Sequence, residues 1–276
     1  MIPVLFEIGP IKVYSYGLML GLGFLIGSYI LAGELRRRKI DPNIASTVTI
    51  LAVIFGIAGA KLLFLVEHRD AFLADPLGMA FSPGGLTWYG GFIIGLTAVI
   101  LYVRSRKVPP LKFLDALGIA LILAYGIGRI GCHLSGDGDY GMPTDLPWGT
   151  NYENGTYPPS RAFANFPEVA GQYPGGVVPD NTPLHPTPVY EFFLGVLGIV
   201  ILRQLSKKEY ADGRLFTVYL MLSSLFRFSI ELLRLNPRYW AGLSEAQLIS
   251  IGLFVLGVAG FLYLGRRPQP ATDQPS

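Results

Sequence analysis

Residues 45–66 read ASTVTILAVIFGIAGAKLLFLV, and Lys61 is the single charged side chain in this stretch. Because a bilayer core about 30 Å thick needs roughly 20 mostly apolar residues in one helix, the stretch is long enough to cross a membrane. The whole chain has the same character: 51% of its 276 residues are hydrophobic and 15% are charged, whereas soluble domains have about 25% charged residues. We therefore predict an integral membrane protein.

Six further apolar stretches predict an all-α, polytopic fold with seven transmembrane helices. The expected spans are residues 14–31, 45–66, 86–103, 113–131, 188–205, 215–233 and 246–264. These spans and their loops make one predicted transmembrane domain, residues 1–267, whose longest connection, residues 132–187, is a predicted extracytoplasmic loop region. Residues 268–276 are predicted to be a short C-terminal tail.

The positions of the basic residues predict the orientation of the chain. Fourteen of the 22 lysine and arginine residues follow the first, third, fifth and seventh spans. Since cytoplasmic loops carry the excess of Lys and Arg, we expect the N-terminus outside and the C-terminus in the cytoplasm. Residues 1–10 contain no basic stretch and no cleavage site, so we expect the first span to remain in the mature protein. The formal net charge of +3 is too small and too scattered to indicate a nucleic-acid partner.

Three basic residues, Lys61, Arg129 and Arg227, lie inside the predicted spans or at their outer ends. A charge at membrane depth is costly, so each is a candidate functional residue. Arg227, Glu231 and Arg234 are spaced i, i+4 and i+7 and therefore share one helix face. Arg129 is flanked by glycines, which let a ligand come close. Two arginines at a similar depth on separate helices would clamp a phosphate, because guanidinium offers paired donors and is always charged.

The same residues also allow structural interpretations. Arg227 could form an internal salt bridge with Glu231 that only stabilises the helix bundle. Arg129 could extend to lipid headgroups from the membrane interface. Glu191, at the start of the fifth span, needs a partner, so an ion pair with Lys61 or an arginine competes with a catalytic role.

Two glycine-rich segments carry further candidates. Residues 84–91, GGLTWYGG, place Tyr89 between glycine pairs, and its alternative role is that of an interfacial aromatic residue. Residues 132–141, CHLSGDGDYG, form a polar turn with too few oxygen ligands at helix-loop-helix spacing for a calcium site, so we expect no metal. Cys132 is the only cysteine in the chain, which excludes an intrachain disulfide.

Seven motifs follow one another along most of the chain. They are YSYGLM (residues 14–19), GAKL (59–62), the segment 84–91, GRIG (128–131), TDLPWG (144–149), His185-Pro186 with Tyr190-Glu191, and Phe226-Arg227 with Glu231 and Arg234. Together these motifs resemble those of the prolipoprotein diacylglyceryl transferase family, the membrane enzymes that attach the lipid to bacterial prelipoproteins.

The resemblance implies a seven-span fold in the bacterial cytoplasmic (inner) membrane, with a site that opens laterally to the outer leaflet. It implies two substrates: phosphatidylglycerol, a membrane lipid, and the signal peptide of a prolipoprotein with a lipobox cysteine. We expect no metal or organic cofactor. By the family pattern, the functional positions are Tyr16, Arg129, Gly141, Arg227, Glu231 and Arg234.

This chain departs from the family pattern at three positions near the expected site. Tyr89 replaces the family's usual histidine, Cys132 replaces an asparagine, and Asp137, followed by one extra residue, replaces a glutamate. The proton acceptor therefore stays open among Tyr89, His133 and Asp137. Cys132 is expected to have a hydrogen-bonding or packing role, because the residue normally found there is not nucleophilic.

We expect Arg129 and Arg227 to hold the lipid phosphate and to stabilise the departing glycerol phosphate while the acceptor thiolate attacks. Tyr16 and Glu231 are expected beside them at the catalytic centre. The full set of expected substrate contacts is Tyr16, Lys61, Arg129, Cys132, Gly141, Tyr190, Glu191, Arg227 and Arg234.

Two other function classes are weighed against this interpretation. A transporter would need a polar stripe that reaches the cytoplasmic side, whereas the charges of this chain cluster outward. A serine protease built from His133 and Ser135 would place both residues at a span end, with no second histidine deep in a helix.

Overall fold

The computed structural model describes residues 1–9, 11–82, 84–208 and 210–266. The predicted tail at 268–276 and the neighbouring Arg267 lie outside the described residues. The chain begins with an antiparallel pair of strands, β1 (Val4–Ile8) and β2 (Ile11–Tyr14). Most of the described residues after this pair are helical.

The other elements follow in chain order. The α-helices are α1 (Ser15–Arg37), α2 (Asn43–Glu67), α3 (Arg69–Ala74), α4 (Pro76–Phe81), α5 (Trp88–Ser105), α6 (Pro110–Ser135), α7 (Pro159–Ala162), α8 (Pro167–Ala170), α9 (Thr187–Leu205), α10 (Arg214–Glu231) and α11 (Glu245–Gly265). Single turns of 3-10 helix occur at Phe163–Asn165, Pro174–Gly176 and Trp240–Gly242, and a second strand pair joins β3 (Thr150–Asn151) to β4 (Pro183–Leu184).

Six helices in the described part of the chain are long and apolar enough to cross a membrane: α1, α2, α5, α6, α9 and α11. Each of them overlaps one predicted span. The sixth predicted span is also a helix, α10, but it falls outside this apolar class because it carries the charged residues Arg214, Arg227 and Glu231. A mostly helical membrane fold is therefore confirmed, and the seventh span stays a prediction.

The chain divides into two compact units, and the smaller one is Ser28–Phe113. Within it, α2 and α5 pack through glycines, since a Cβ on Gly59 would lie only 2.5 Å from the carbonyl oxygen of Gly90. Backbones approach this closely where side chains are absent. Gly90 and Gly91 of the segment 84–91 therefore serve helix packing in this unit.

The larger unit combines Met1–Gly27 with the chain from Leu114 onward. Its helix α6 lies against α1 and α9 at glycines. A Cβ on Gly131 would lie 3.2 Å from the Cα of Tyr16 in α1, and a Cβ on Gly126 would lie 3.2 Å from the Cα of Phe192 in α9. These contacts position the C-terminal half of α6.

The other end of α6 is tied to the start of α10 by a buried carboxylate. Asp115 accepts hydrogen bonds from the backbone N–H groups of Gly213 at 2.8 Å and Phe216 at 2.7 Å. Because the first N–H groups of a helix have no partner within the helix, this side chain caps α10. The cap fixes α10 beside α6 at that end.

The predicted extracytoplasmic loop region is a small folded structure with a core of its own. Its buried residues are Tyr140, Tyr152, Phe163, Val169, Ala170, Val178 and Leu184. Helix α6 ends at Ser135, four residues beyond the predicted end of the fourth span, so Cys132 and His133 lie on its last turn. The folded loop starts after this turn.

Candidate active site

Arg129 on α6 stands in a cluster of polar side chains. Its Nε lies 3.2 Å from Oε2 of Glu191 on α9 and donates a hydrogen bond of 2.9 Å to the Tyr125 hydroxyl. The same hydroxyl donates to Oε1 of Glu191 at 2.5 Å. Nη1 of Arg129 pairs with Asp139. Among the alternatives weighed for Glu191, the structure shows an ion pair with an arginine.

Asp139 joins two of the arginines. One of its carboxylate oxygens pairs with Arg129 and the other with Arg234, which follows α10. Nη1 of Arg234 also lies 3.8 Å from Oε2 of Glu191. Burial alone would raise the pKa of Asp139, but the charges of Arg234 and Arg129 outweigh burial and hold the pKa below its usual value. The ionised carboxylate therefore keeps the two guanidinium groups side by side.

Arg227 pairs with Glu231 one turn further along α10. Its Nη1 lies 2.7 Å from Oε2 of Glu231, whose side chain is completely buried and whose Oε1 accepts from Asn236 at 2.5 Å. The ion pair between Arg227 Nη1 and Glu231 Oε2 lies outside hydrogen-bond geometry. Within the described chain these two buried atoms therefore have no hydrogen-bond partner. Buried polar atoms normally have partners, and the side chain of Arg227 is 25% exposed. The buried Nη1 is thus held by the Glu231 carboxylate, and the partly exposed remainder of the guanidinium can contact an anionic ligand.

Arg129 and Arg227 both lie near Tyr125. The charges of both Arg129 and Arg227 act on its phenol. Helices α9 and α10 pack beside it, and a Cβ on Gly198 would lie 3.2 Å from the ring of Phe226, the residue before Arg227. Arg129 and Arg227 thus lie on separate helices within electrostatic reach of one side chain.

Gly141 positions the segment that carries Arg234. Its N–H donates to the carbonyl of His185 at 2.9 Å, and the N–H of the next residue, Met142, donates to the carbonyl of Leu233 at 2.9 Å. A Cβ on Gly141 would lie 2.5 Å from the Leu233 carbonyl oxygen. Glycine is required here because the two chain segments touch through their backbones.

Cys132 and Asp137 lie next to the arginine cluster. The Cys132 thiol is buried, and its Sγ lies 3.9 Å from Arg129 Nη1. Partial burial and the neighbouring Asp139 carboxylate raise the pKa of Asp137. One ligand atom each from Cys132, Asp137 and Asp139 lies within 4.8 Å of the others. Both oxygens of Asp139 are committed to arginines, whose positive charges oppose a metal ion at this point.

Three other predicted residues occur around this cluster. Tyr16, at the start of α1, lies near enough to Arg129 for the guanidinium charge to act on its phenol. His133 Nδ1 lies 2.9 Å from the Tyr152 hydroxyl in the core of the loop region. Tyr190 accepts a hydrogen bond from Trp148 Nε1 at 2.8 Å, which ties the TDLPWG motif to α9.

Lys61 and Tyr89 belong to the smaller unit. The ammonium of Lys61 donates to the carbonyl and hydroxyl oxygens of Ser82 at 2.9 and 2.8 Å and to the Gly84 carbonyl at 2.8 Å. Tyr89 is the second residue of α5 and makes an edge contact with Trp88, at 5.3 Å between ring centroids. In this unit Lys61 holds the loop that leads to Tyr89.

Sequence reasoning did not single out several members of the site. Tyr125 lies one turn before Arg129, and this i, i+4 spacing indicates that the two side chains share a helix face. Asp139 lies in the polar turn, where only Asp137 was chosen. Arg238 carries no sequence signal of its own, and its Nη2 donates to the Glu231 carbonyl at 3.2 Å.

Proteins of known families are similar to this chain over nearly its whole length. A family model described as "Prolipoprotein diacylglyceryl transferase" matches residues 3–263. A protein of Clostridium tetani named phosphatidylglycerol–prolipoprotein diacylglyceryl transferase is 32% identical over 262 residues, which cover 95% of this chain and 97% of that protein. Proteins of the same name from Parasynechococcus marenigrum (31% identical, 97% and 95% covered) and Trichormus variabilis (30% identical, 97% and 92% covered) are similar over comparable lengths.

Proposed function

Because this chain belongs to the prolipoprotein diacylglyceryl transferase family, we propose that it transfers the diacylglyceryl group of phosphatidylglycerol to the lipobox cysteine of prolipoproteins. The observation that carries this proposal is the cluster of Arg129, Arg227 and Arg234 on and after α6 and α10, which is held by the carboxylates of Glu191, Glu231 and Asp139. The names of the relatives favour this transferase over the transporter alternative.

Arg129 and Arg227 bind the phosphate of the lipid headgroup. A guanidinium has five N–H donors, and the hydrogen bonds described for Arg129 use Nε and Nη1. Donors therefore stay available for phosphate oxygens while Asp139 and Glu191 hold the side chain. Arg227 adds its partly exposed guanidinium from α10. Positive charge fixed in this way stabilises the glycerol phosphate as it leaves.

The reaction exchanges one bond for another at the carbon of the diacylglyceryl group that is bonded to the phosphate oxygen. The acceptor thiolate attacks this carbon, a carbon–sulfur bond forms, and the carbon–oxygen bond to phosphate breaks with its electron pair. The products are a thioether and glycerol phosphate. Since a free thiol has a pKa near 8.5, a weak base within a positive field is enough to supply thiolate.

Asp137 is the best supported proton acceptor of the three candidates. Its carboxylate is exposed beside Cys132 and Arg129, and its raised pKa makes it a stronger base than an ordinary aspartate. The His133 ring pairs with Tyr152 instead. Tyr89 would need its pKa lowered from about 10 to act at neutral pH.

The location follows from the same proposal. We place seven helices across the bacterial cytoplasmic (inner) membrane, with α10 as the least apolar of them, the N-terminus outside and the C-terminus in the cytoplasm. Arg227 is 13 residues from the start of α10, about 20 Å along its axis, so it lies in the outer half of the bilayer. The donor lipid enters from that leaflet.

A reconstituted assay tests the function. Purified protein is incubated with phosphatidylglycerol labelled in its diacylglycerol part and with a lipobox peptide, and the peptide mass is measured. The expected result is a peptide heavier by one diacylglyceryl group, no gain for a peptide with serine in place of the cysteine, and loss of product with Arg227→Ala. Absence of product with folded wild-type protein would overturn the proposal.

A further inference from the structure

The folded loop region contains an open cavity of about 360 Å³. Its lining includes Thr144 and Asp145 of the TDLPWG motif, together with Tyr173, Asn181 and Thr182. Asp145 is the charged residue of this lining, and the other four offer hydroxyl and amide groups. The cavity is therefore suited to a polar ligand that donates hydrogen bonds or carries positive charge.

A short backbone ladder connects this cavity to the arginine cluster. At one end of the ladder the Gly141 N–H donates to the His185 carbonyl at 2.9 Å, and Gly141 bridges to Arg234. At the other end the Thr144 N–H donates to the Pro183 carbonyl at 3.0 Å, and both residues line the cavity. Three residues of extended chain separate the two ends, about 10 Å.

The ladder is rigid because its central strand is anchored on the core. Leu184 pairs with Pro143 on one side and with Thr150 on the other, and its side chain is completely buried. The hydroxyl of Tyr140, the residue before Gly141, donates to the Tyr157 carbonyl at 2.6 Å inside the same core. Cavity and arginine cluster are thus held at a fixed separation.

We propose that this cavity binds the polar segment of the acceptor protein that follows the modified cysteine. The inference rests on the proposed function. When the cysteine lies at the arginine cluster, an extended chain needs about three residues to reach Thr144 along the ladder. Hydroxyl and amide groups of the lining pair with the backbone of this segment. The Asp145 carboxylate favours lysine or a neutral residue and disfavours glutamate at the third to fifth positions after the cysteine.

The test uses lipobox peptides that share one signal segment. Three of them carry Lys, Ser or Glu at positions three to five after the cysteine, and a fourth ends at the cysteine. Their KM values are measured with the full-length protein in detergent at low salt, where surface charges are least screened. The variants are Asp145→Asn, Asp145→Lys and Asn181→Trp, which places a large side chain at the exposed rim. Asn165→Trp, at an exposed position of the same loop region outside the cavity lining, is the matched control.

With wild type, the Lys peptides should have KM values about three- to fivefold lower than the Glu peptides, the range of an exposed ion pair. Asp145→Asn should remove this preference and Asp145→Lys should reverse it. Asn181→Trp should raise KM for the three extended peptides about fivefold and leave the truncated peptide unchanged. Asn165→Trp should change neither the KM of the extended peptides nor that of the truncated peptide. Because a misfolded variant would also fail to lipidate the truncated peptide, folding defects are recognised within the same experiment.

A charge preference that is identical in wild type and Asp145→Lys would overturn the proposal, and so would a shift in the KM for phosphatidylglycerol alone. Binding of fluorescent extended peptides without lipid provides an independent readout. If no peptide is lipidated, the proposed function fails. The cavity proposal is then tested by whether the binding of the extended peptides still depends on the charge of residue 145.

Discussion

The guanidinium of Arg129 lies 3.2 Å from the carboxylate of Glu191, and this ion pair joins α6 to α9. The Tyr125 hydroxyl closes the arrangement, because it accepts a hydrogen bond from Arg129 and donates one to Glu191. The orientation of the guanidinium is therefore fixed before any lipid binds. Preorganised charge of this kind is the main source of rate enhancement where a negatively charged group leaves.

Tyr125→Phe should lower kcat/KM about tenfold while the protein stays folded. Hydrogen bonds to charged groups are worth about 1.5–3 kcal/mol, and this substitution removes two of them without emptying the space of the ring. The measurement is the rate of peptide lipidation together with thermal unfolding in detergent. Tyr29→Phe, at an exposed position of α1, is the control. An unchanged kcat/KM would show that the orientation of Arg129 does not depend on the phenol.

Asp139→Asn should destabilise the protein at neutral pH but not at acid pH. The native pKa of Asp139 is held below its usual value, so its stabilisation is fully present above the unfolded pKa of about 3.9 and is lost as pH falls through the lower native pKa. The measurement is the difference in Tm between variant and wild type from pH 7 downward. Asp70→Asn, whose side chain is 93% exposed, should show no difference at any pH. A constant difference for Asp139→Asn would contradict the role of the ionised carboxylate.

Cys132→Ser should retain activity within about threefold. The Cys132 thiol is buried against Arg129, and serine keeps the size and can accept the same hydrogen bond. The measurement is the lipidation rate, together with a search by mass spectrometry for a lipid attached to the enzyme. Abolished activity, or a lipidated Cys132, would instead indicate a covalent relay.

Gly141→Ala should lower stability by about 1–3 kcal/mol, the usual range for overpacking. The added methyl group would meet the Leu233 carbonyl oxygen at 2.5 Å and push the segment that carries Arg234 away from residue 141. Gly252→Ala in α11, where a Cβ meets open space, is the control and should be neutral. Both the Tm and the lipidation rate are measured. Equal stability of the two variants would contradict the backbone role of Gly141.

Six of the long helices could be predicted because an apolar stretch long enough to cross a bilayer is visible in the sequence. Six predicted spans coincide with helices of the required length and apolar character. The predicted fourth span ends at residue 131, whereas α6 continues for four more residues to Ser135, because polar residues can extend a helix beyond its apolar stretch. The folded loop region has no such length rule, and its core depends on contacts distant in sequence.

Within the candidate site, charge at membrane depth predicts Arg129 and Arg227 as functional residues, and spacing predicts Glu231 and Arg234. The partners could not be predicted, because they depend on which helices are neighbours. Glu191 had several possible cations, and the packing of α9 against α6 gives it Arg129. Asp139 differs from Asp137 by two positions in a loop, and the backbone of that loop decides which carboxylate reaches the arginines.

In the proposed reaction, Arg129 and Arg227 share one phosphate. The most direct measurement is the dissociation constant of phosphatidylglycerol for wild type, Arg129→Gln, Arg227→Gln and the double variant, each in nanodiscs of zwitterionic lipid. We expect each single variant to bind at least tenfold more weakly, and the double variant to deviate from the sum of the two losses by more than about 0.5 kcal/mol, since two contacts to one group are coupled. Unchanged affinities, or losses that simply add, would contradict a shared headgroup.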